Sequence, residues 1–179
     1  MTRISRNILL ISGSGRNVGK TTFMRRIIAQ NACHLPVAVK ITPHFHEPTP
    51  GLLPIQVNEN FRIFRETDDS SEKDTALFLQ AGAEKVFYIQ TTDDFLNKAF
   101  EFVSAQLSPD QPVIVESAAL RKFIVPELYV FIEKNPDDIK PFAREMKKLA
   151  DLIVNSDGER YSISPEILIF NQSWKIQNA

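Results

Sequence analysis

The chain has 179 residues, 43% hydrophobic and 24% charged, with a formal net charge of −1. This balance suits a single soluble domain spanning 1–179 and provides no overall basic field to attract nucleic acid or an anionic membrane. A lone cysteine, Cys33, excludes an intrachain disulfide, and the apolar run 8–11 is far too short for a signal or spanning segment, so the expectation is a cytoplasmic protein.

In chain order, "NILLIS" (7–12) reads as a buried parallel strand closed by Gly13. Phe23, Met24, Ile27 and Ile28 then have the spacing of a helix over 19–30 that buries one face. "PVAVKI" (36–41) is the next strand, stopped by Pro43, and the four prolines between 43 and 54 predict an irregular segment. "IQVNENFRIF" (55–64) predicts a hairpin with its turn at 58–60. If Phe61, Ile63 and Phe64 face solvent there, they make an edge suited to a homodimer.

A helix follows in "SEKDTALFLQAGA", capped by Ser70 or Ser71 and stopped by Gly82. "KVFYIQT" (85–91) is a strand. Thr91 or Thr92 then caps a long helix with Phe95, Leu96, Ala99, Phe102, Val103 and Leu107 on one face. Three apolar strands remain, 112–116, 128–133 and 150–155, with a helix over 138–149 between the last two. Strands alternating with helices predict an α/β fold with a mostly parallel sheet, helices on both faces and a β-hairpin insertion. Ligands in such sheets sit at the carboxyl ends of the strands.

The stretch "GSGRNVGKTT" occupies the first of those ends, between a strand and a helix. A glycine-rich turn there points backbone N–H groups at a phosphate, and the helix start adds positive charge. Lys20 would reach the β- and γ-phosphates, and the Thr21 hydroxyl would join a magnesium shell. Ser14 stands where the strict pattern has glycine; counted from Gly13, the loop is one residue longer. The nucleotide contacts expected are Gly13, Ser14, Gly15, Arg16, Asn17, Val18, Gly19, Lys20, Thr21 and Thr22, which makes the fold expected a P-loop NTPase.

Glu116, ending its apolar strand, is where magnesium or its water needs a second protein oxygen beside Thr21. Lys40 is a candidate cation for a γ-phosphate or a substrate anion, so the residues expected to act in catalysis are Lys20, Lys40 and Glu116. His44 and His46 read as loop histidines. Asn155 could offer its amide to a purine, but Asn-Lys-x-Asp is absent and GTP or ATP stays open. Arg16 and Arg121 are the arginines to test for transition-state charge.

"SGRNVGKTTF", "VAVKITPHFH", "EKDTALFLQAGAEKVFYI" and "VIVESAALRK" together resemble the molybdopterin-guanine dinucleotide biosynthesis adaptor family, the MobB-like P-loop proteins, in order and spacing across 7–122. The resemblance implies a homodimeric nucleotide-binding adaptor with slow NTPase activity, GTP ahead of ATP, magnesium, and a protein partner in molybdenum cofactor biosynthesis. Gly13–Thr21 also fits the Gly-x5-Gly-Lys-Thr loop of dethiobiotin synthetase-like enzymes, which implies an alternative: an ATP-dependent synthetase or kinase acting on a small acid.

Overall fold

Residues 8–11 carry no polar side chain, and the strand they form lies deep within a sheet, covered on both faces. The computed structural model describes residues 3–134 and 139–177, with only the backbone of 3–6. In chain order the elements are β1 (Arg3–Gly13), α1 (Lys20–Gln30), β2 (Val37–Thr42), β3 (Leu52–Val57), β4 (Phe61–Glu66), α2 (Asp74–Gln80), β5 (Lys85–Thr91), α3 (Asp93–Ser104), β6 (Val113–Glu116), β7 (Ile124–Glu133), α4 (Pro141–Lys147), β8 (Leu152–Asn155), β9 (Leu168–Phe170) and β10 (Trp174–Ile176). Eight strands form one sheet in the order β3-β4-β5-β2-β6-β1-β7-β8. From β5 to β8 every pairing is parallel, while the β3–β4 hairpin joins antiparallel at one edge. This is a mostly parallel α/β fold.

Successive residues of a strand face opposite sides, so one strand feeds two cores. Ile8 and Leu10 pack with α3 and with Met146 of α4, whereas Leu9 and Ile11 pack with α1 and Phe78 of α2. In α1, Phe23, Met24, Ile27 and Ile28 are fully buried, each contributing about 1.5–3 kcal/mol. That is what holds α1, and with it the preceding loop, against the sheet.

Several elements differ from expectation. The α2 helix begins at Asp74, after Lys73, and not at a serine cap. Ser70 is engaged elsewhere: its N–H and Oγ donate to Asp68 Oδ1 at 2.8 and 2.6 Å. Gly82 does stop the helix, in a left-handed conformation (φ 104°) that lets the N–H groups of Gly82 and Ala83 reach back to Leu79 and Phe78. In α3 the buried stripe is Leu96, Ala99, Phe100 and Val103, while Phe102 is exposed because it lies about 120° round the helix from that stripe. Thr92 holds the cap position of α3 without a side-chain capping bond among the described residues. The segment 43–54 is less irregular than its prolines suggest, because β3 already starts at Leu52 and carries Pro54 on the sheet edge. The hairpin turn forms as expected, with Asn58 Oδ1 accepting from the N–H groups of Asn60 and Phe61. Phe61, Ile63 and Phe64, however, are buried, and the exposed apolar side chains are Leu53, Ile55 and Val57 of β3. The helix expected over 138–149 is shorter, and Asp138 lies outside the described residues. No helix among the described residues is long and apolar enough to cross a membrane.

Beyond β8 the chain returns to α1. Leu168, Phe170 and Trp174 complete the α1-side core, and Asn31 at the end of α1 bonds the backbone of both Leu168 and Phe170. Arg26 of α1 clamps Glu166 with two hydrogen bonds of 2.6 and 2.7 Å. The Arg26 hydrogen bonds, opposed by burial and helped by Ser164, bring the Glu166 carboxyl down to about 2 from an ordinary 4.5. A lowered carboxylate pKa stabilises the fold above pH 4.5 and loses that contribution as pH falls toward 2. Both side chains are about 40% exposed, so screening limits the effect to about 1 kcal/mol or less. Glu166→Gln is expected to remove part of the acid sensitivity between pH 4.5 and 2, read by thermal unfolding at stepped pH; an unchanged profile would contradict the clamp.

Candidate functional site

The loop between β1 and α1 is shaped by contacts that depend on its sequence. The Ser14 N–H donates to the Ile132 carbonyl (2.9 Å), tying the loop to β7, and the Ser14 hydroxyl accepts from the Lys134 N–H at 3.4 Å. A side chain on Gly13 would place its Cβ 2.7 Å from the Ile132 carbonyl oxygen and 2.9 Å from Val18, so glycine is required there by packing. A Cβ on Gly15 would meet no protein atom within 4 Å. Packing therefore does not demand that glycine, and the loop is open to solvent there. Gly19 is left-handed (φ 88°), and its carbonyl accepts from the Tyr161 hydroxyl at 2.6 Å. The first turn of α1 carries no acidic side chain, so its free N–H groups and positive end face the loop unneutralised.

Lys20 curls back to donate to the Gly15 carbonyl at 2.7 Å. Burial, opposed by Glu116, reinforced by Lys40 and opposed again by Asp74, leaves the Lys20 ammonium below its ordinary pKa. An anion in the loop would relieve that cost.

Across from the loop, register places three polar groups together. Glu116 ends β6 between two neighbours, paired with Ile11 of β1 and with Lys40 of β2. Lys40 donates to Glu116 Oε2 at 3.3 Å and, more closely, to Asp74 at the start of α2. Burial disfavours the Lys40 charge, but Glu116 and Asp74 outweigh it and raise its pKa. Arg16, Asn17, Gly19, Lys20, Thr21, Thr22, Lys40, Asp74, Glu116 and Gly158 line one cleft of about 440 Å³.

Of the residues expected from sequence, this brings together Arg16, Asn17, Gly19, Lys20, Thr21, Thr22, Lys40 and Glu116. Gly13 and Ser14 hold the loop from beneath, and the Val18 side chain is buried in the core, leaving its backbone alone for a ligand. Asn155 is exposed at the end of β8, with its N–H bound to Ser162 Oγ at 2.9 Å; from that segment it is Gly158 that reaches the cleft. The Arg16 guanidinium lies 3.3 Å from His44 Nε2, and His46 lies beside it in the same exposed segment. Arg121 donates to the Ile124 carbonyl, away from the cleft. Among the described residues no group of three or more His, Cys, Asp or Glu side chains could hold a metal by themselves.

Asp74 and Gly158, which line the cleft, and Tyr161, which bonds the loop at Gly19, are the residues that sequence reasoning missed. Asp74 reads as one more charge at a helix start, although its place beside Lys73 was visible. Tyr161 follows the last clear strand in a segment without periodicity, and only tertiary structure brings its hydroxyl to Gly19. No family model, no curated protein and no solved structure matches the chain.

Proposed function

We propose that this protein binds a nucleoside triphosphate with magnesium, GTP ahead of ATP, hydrolyses it slowly, and serves as a nucleotide-dependent adaptor in molybdopterin guanine dinucleotide biosynthesis in the cytoplasm. The observation that carries nucleotide binding is the cleft itself: an open glycine loop and an unneutralised helix start face Lys20 on one side and a Lys40-bridged carboxylate pair on the other. The donor set fits magnesium. Thr21, Glu116 and Asp74 offer oxygen atoms alone, and magnesium takes one or two carboxylates and fills its shell with water and phosphate oxygens. When bound, the ion would neutralise charge on the phosphates. Lys20 would hold the phosphate chain, and Lys40 would meet its far end. Slow turnover accords with both carboxylates being committed, to Lys40 in the free protein and to magnesium when it binds, so that neither is free to take a proton from water. The adaptor role, the preference for GTP, the homodimer and the protein partner rest on the family resemblance in 7–122.

One observation favours a second reading, an ATP-dependent synthetase or kinase acting on a small acid. A largely apolar cavity of about 290 Å³ opens beside Ile41 and Thr42, which follow Lys40 on β2, and Ser117 and Ala119, just past the end of β6 at Glu116, and its size suits a small acceptor.

Calorimetric titration of ATP and of GTP with magnesium separates the readings. The adaptor predicts one site per chain and tighter GTP. Tighter ATP would favour the synthetase, and binding of neither would sink both.

A further inference from the structure

The α2 helix has only seven residues, and Lys73 at its cap position makes no side-chain capping bond among the described residues. Yet its first residue, Asp74, is one of the two carboxylates in the cleft. Something else must fix the rotation of this helix start.

The next residue shows what does. The Thr75 hydroxyl donates to Glu66 Oε2 at 2.6 Å, and both side chains are buried, Glu66 to 2% exposure. The other oxygen, Oε1, accepts from the N–H groups of Thr67 and Asp68 at 3.1 and 3.0 Å. Thr67 in turn donates to the Gly51 carbonyl through both its N–H and its hydroxyl. Gly51 is left-handed (φ 97°), and a Cβ there would fall 2.6 Å from Glu66 Oε1. Glu66 thus ties together the end of β4, the turn before β3 and the start of α2.

Thr75 and Asp74 project about 100° apart on the helix. With Thr75 turned inward to a buried acceptor, Asp74 is turned to Lys40 and the cleft. We propose that Glu66, acting through Thr75, is the positioning residue that presents Asp74 to the bound nucleotide; the inference rests on the nucleotide-binding reading above. Glu66 does not touch the cleft. It sets the angle at which a cleft residue enters.

The test is a double-mutant cycle read by calorimetric titration of magnesium-GTP and magnesium-ATP. Thr75→Val keeps shape and removes the hydroxyl, and it is expected to weaken binding roughly threefold to tenfold, the worth of one hydrogen bond. In an Asp74→Asn background the same change should cost nothing further, because its effect runs through Asp74. Thr75→Ser should restore wild-type affinity. A role confined to folding would give losses that multiply in the double variant; that result, or wild-type binding by Thr75→Val, overturns the proposal. Should Thr75→Val fail to fold, Glu66→Gln in the same two backgrounds gives the same contrast. Wild-type protein that binds no nucleotide would sink the functional reading and this inference with it. Wild-type binding with multiplying losses would sink this inference alone.

Discussion

Lys20→Ala is expected to lower affinity for the magnesium nucleotide about a hundredfold while melting at no lower temperature than the wild type. The first half follows from removing a charged donor to phosphate, which costs about 3 kcal/mol when the contact is well made. The second half follows from the free protein. Burial, the largest influence on Lys20, holds its pKa below the ordinary 10.5. Between that lowered value and 10.5 the unfolded chain binds more protons, so stability rises with pH across this alkaline window, and below it the buried charge is a full cost. Replacing Lys20 removes the cost at neutral pH, and its carbonyl partner on exposed Gly15 can turn to water. A bound phosphate reverses the balance by favouring the ammonium. Nucleotide affinity should therefore fall as pH rises through the free protein's Lys20 pKa, and this fall should be absent in the variant. Titration calorimetry across pH, with scanning calorimetry of the two free proteins, measures both. A variant that binds as the wild type does would remove Lys20 from the site, and one that melts well below it would overturn the cost assigned to its buried charge.

How far the sequence reveals such a site depends on which forces place each residue. The parallel strands were legible because a strand buried on both faces must be apolar along its length, as 8–11, 113–115 and 128–132 are. The loop was legible because glycine, lysine and threonine at close spacing between a strand and a helix serve local backbone geometry and local chemistry. Lys40 and Glu116 were legible as polar residues at the ends of apolar strands, and adjacent strands in register bring them together. Asp74 was not, because its place depends on a short helix whose start is set by Glu66, eight residues earlier and on another element. The serines upstream looked like better caps, but Asp68 engages Ser70 in a tighter local turn. The strands β9 and β10 are three residues each, too short to show periodicity. Their burial comes from Phe170 and Trp174 closing the core beneath α1, a long-range contact that no local pattern encodes.

Lys40→Met should separate the two roles of the cation between the carboxylates. Glu116 and Asp74 raise the Lys40 pKa against the effect of burial. Its charge therefore stabilises the fold at every pH below 10.5 and ceases to do so only as pH rises through the raised value. Methionine keeps most of the stem and deletes the charge, leaving two carboxylates facing each other. Breaking a buried pair costs about 3–5 kcal/mol. Here Asp74 is 41% exposed and Lys40 20%, which reduces the expected loss to about 1–3 kcal/mol, or roughly 2–4 °C of melting temperature per kcal/mol. The same substitution frees the pair to hold another cation. Magnesium chloride should then raise the melting temperature of the variant, by about 1.4 kcal/mol of stability at a tenfold excess over its Kd. Sodium chloride at equal ionic strength should do less, and the wild type, whose lysine already bridges the pair, should respond little to either salt. If the variant loses stability and magnesium recovers none of it, Glu116 and Asp74 are a structural pair for Lys40 and do not form a cation site. If magnesium recovers it, the lysine in the free protein occupies the place that a metal would share with phosphate oxygens, and nucleotide binding must begin by drawing Lys40 away from its carboxylates.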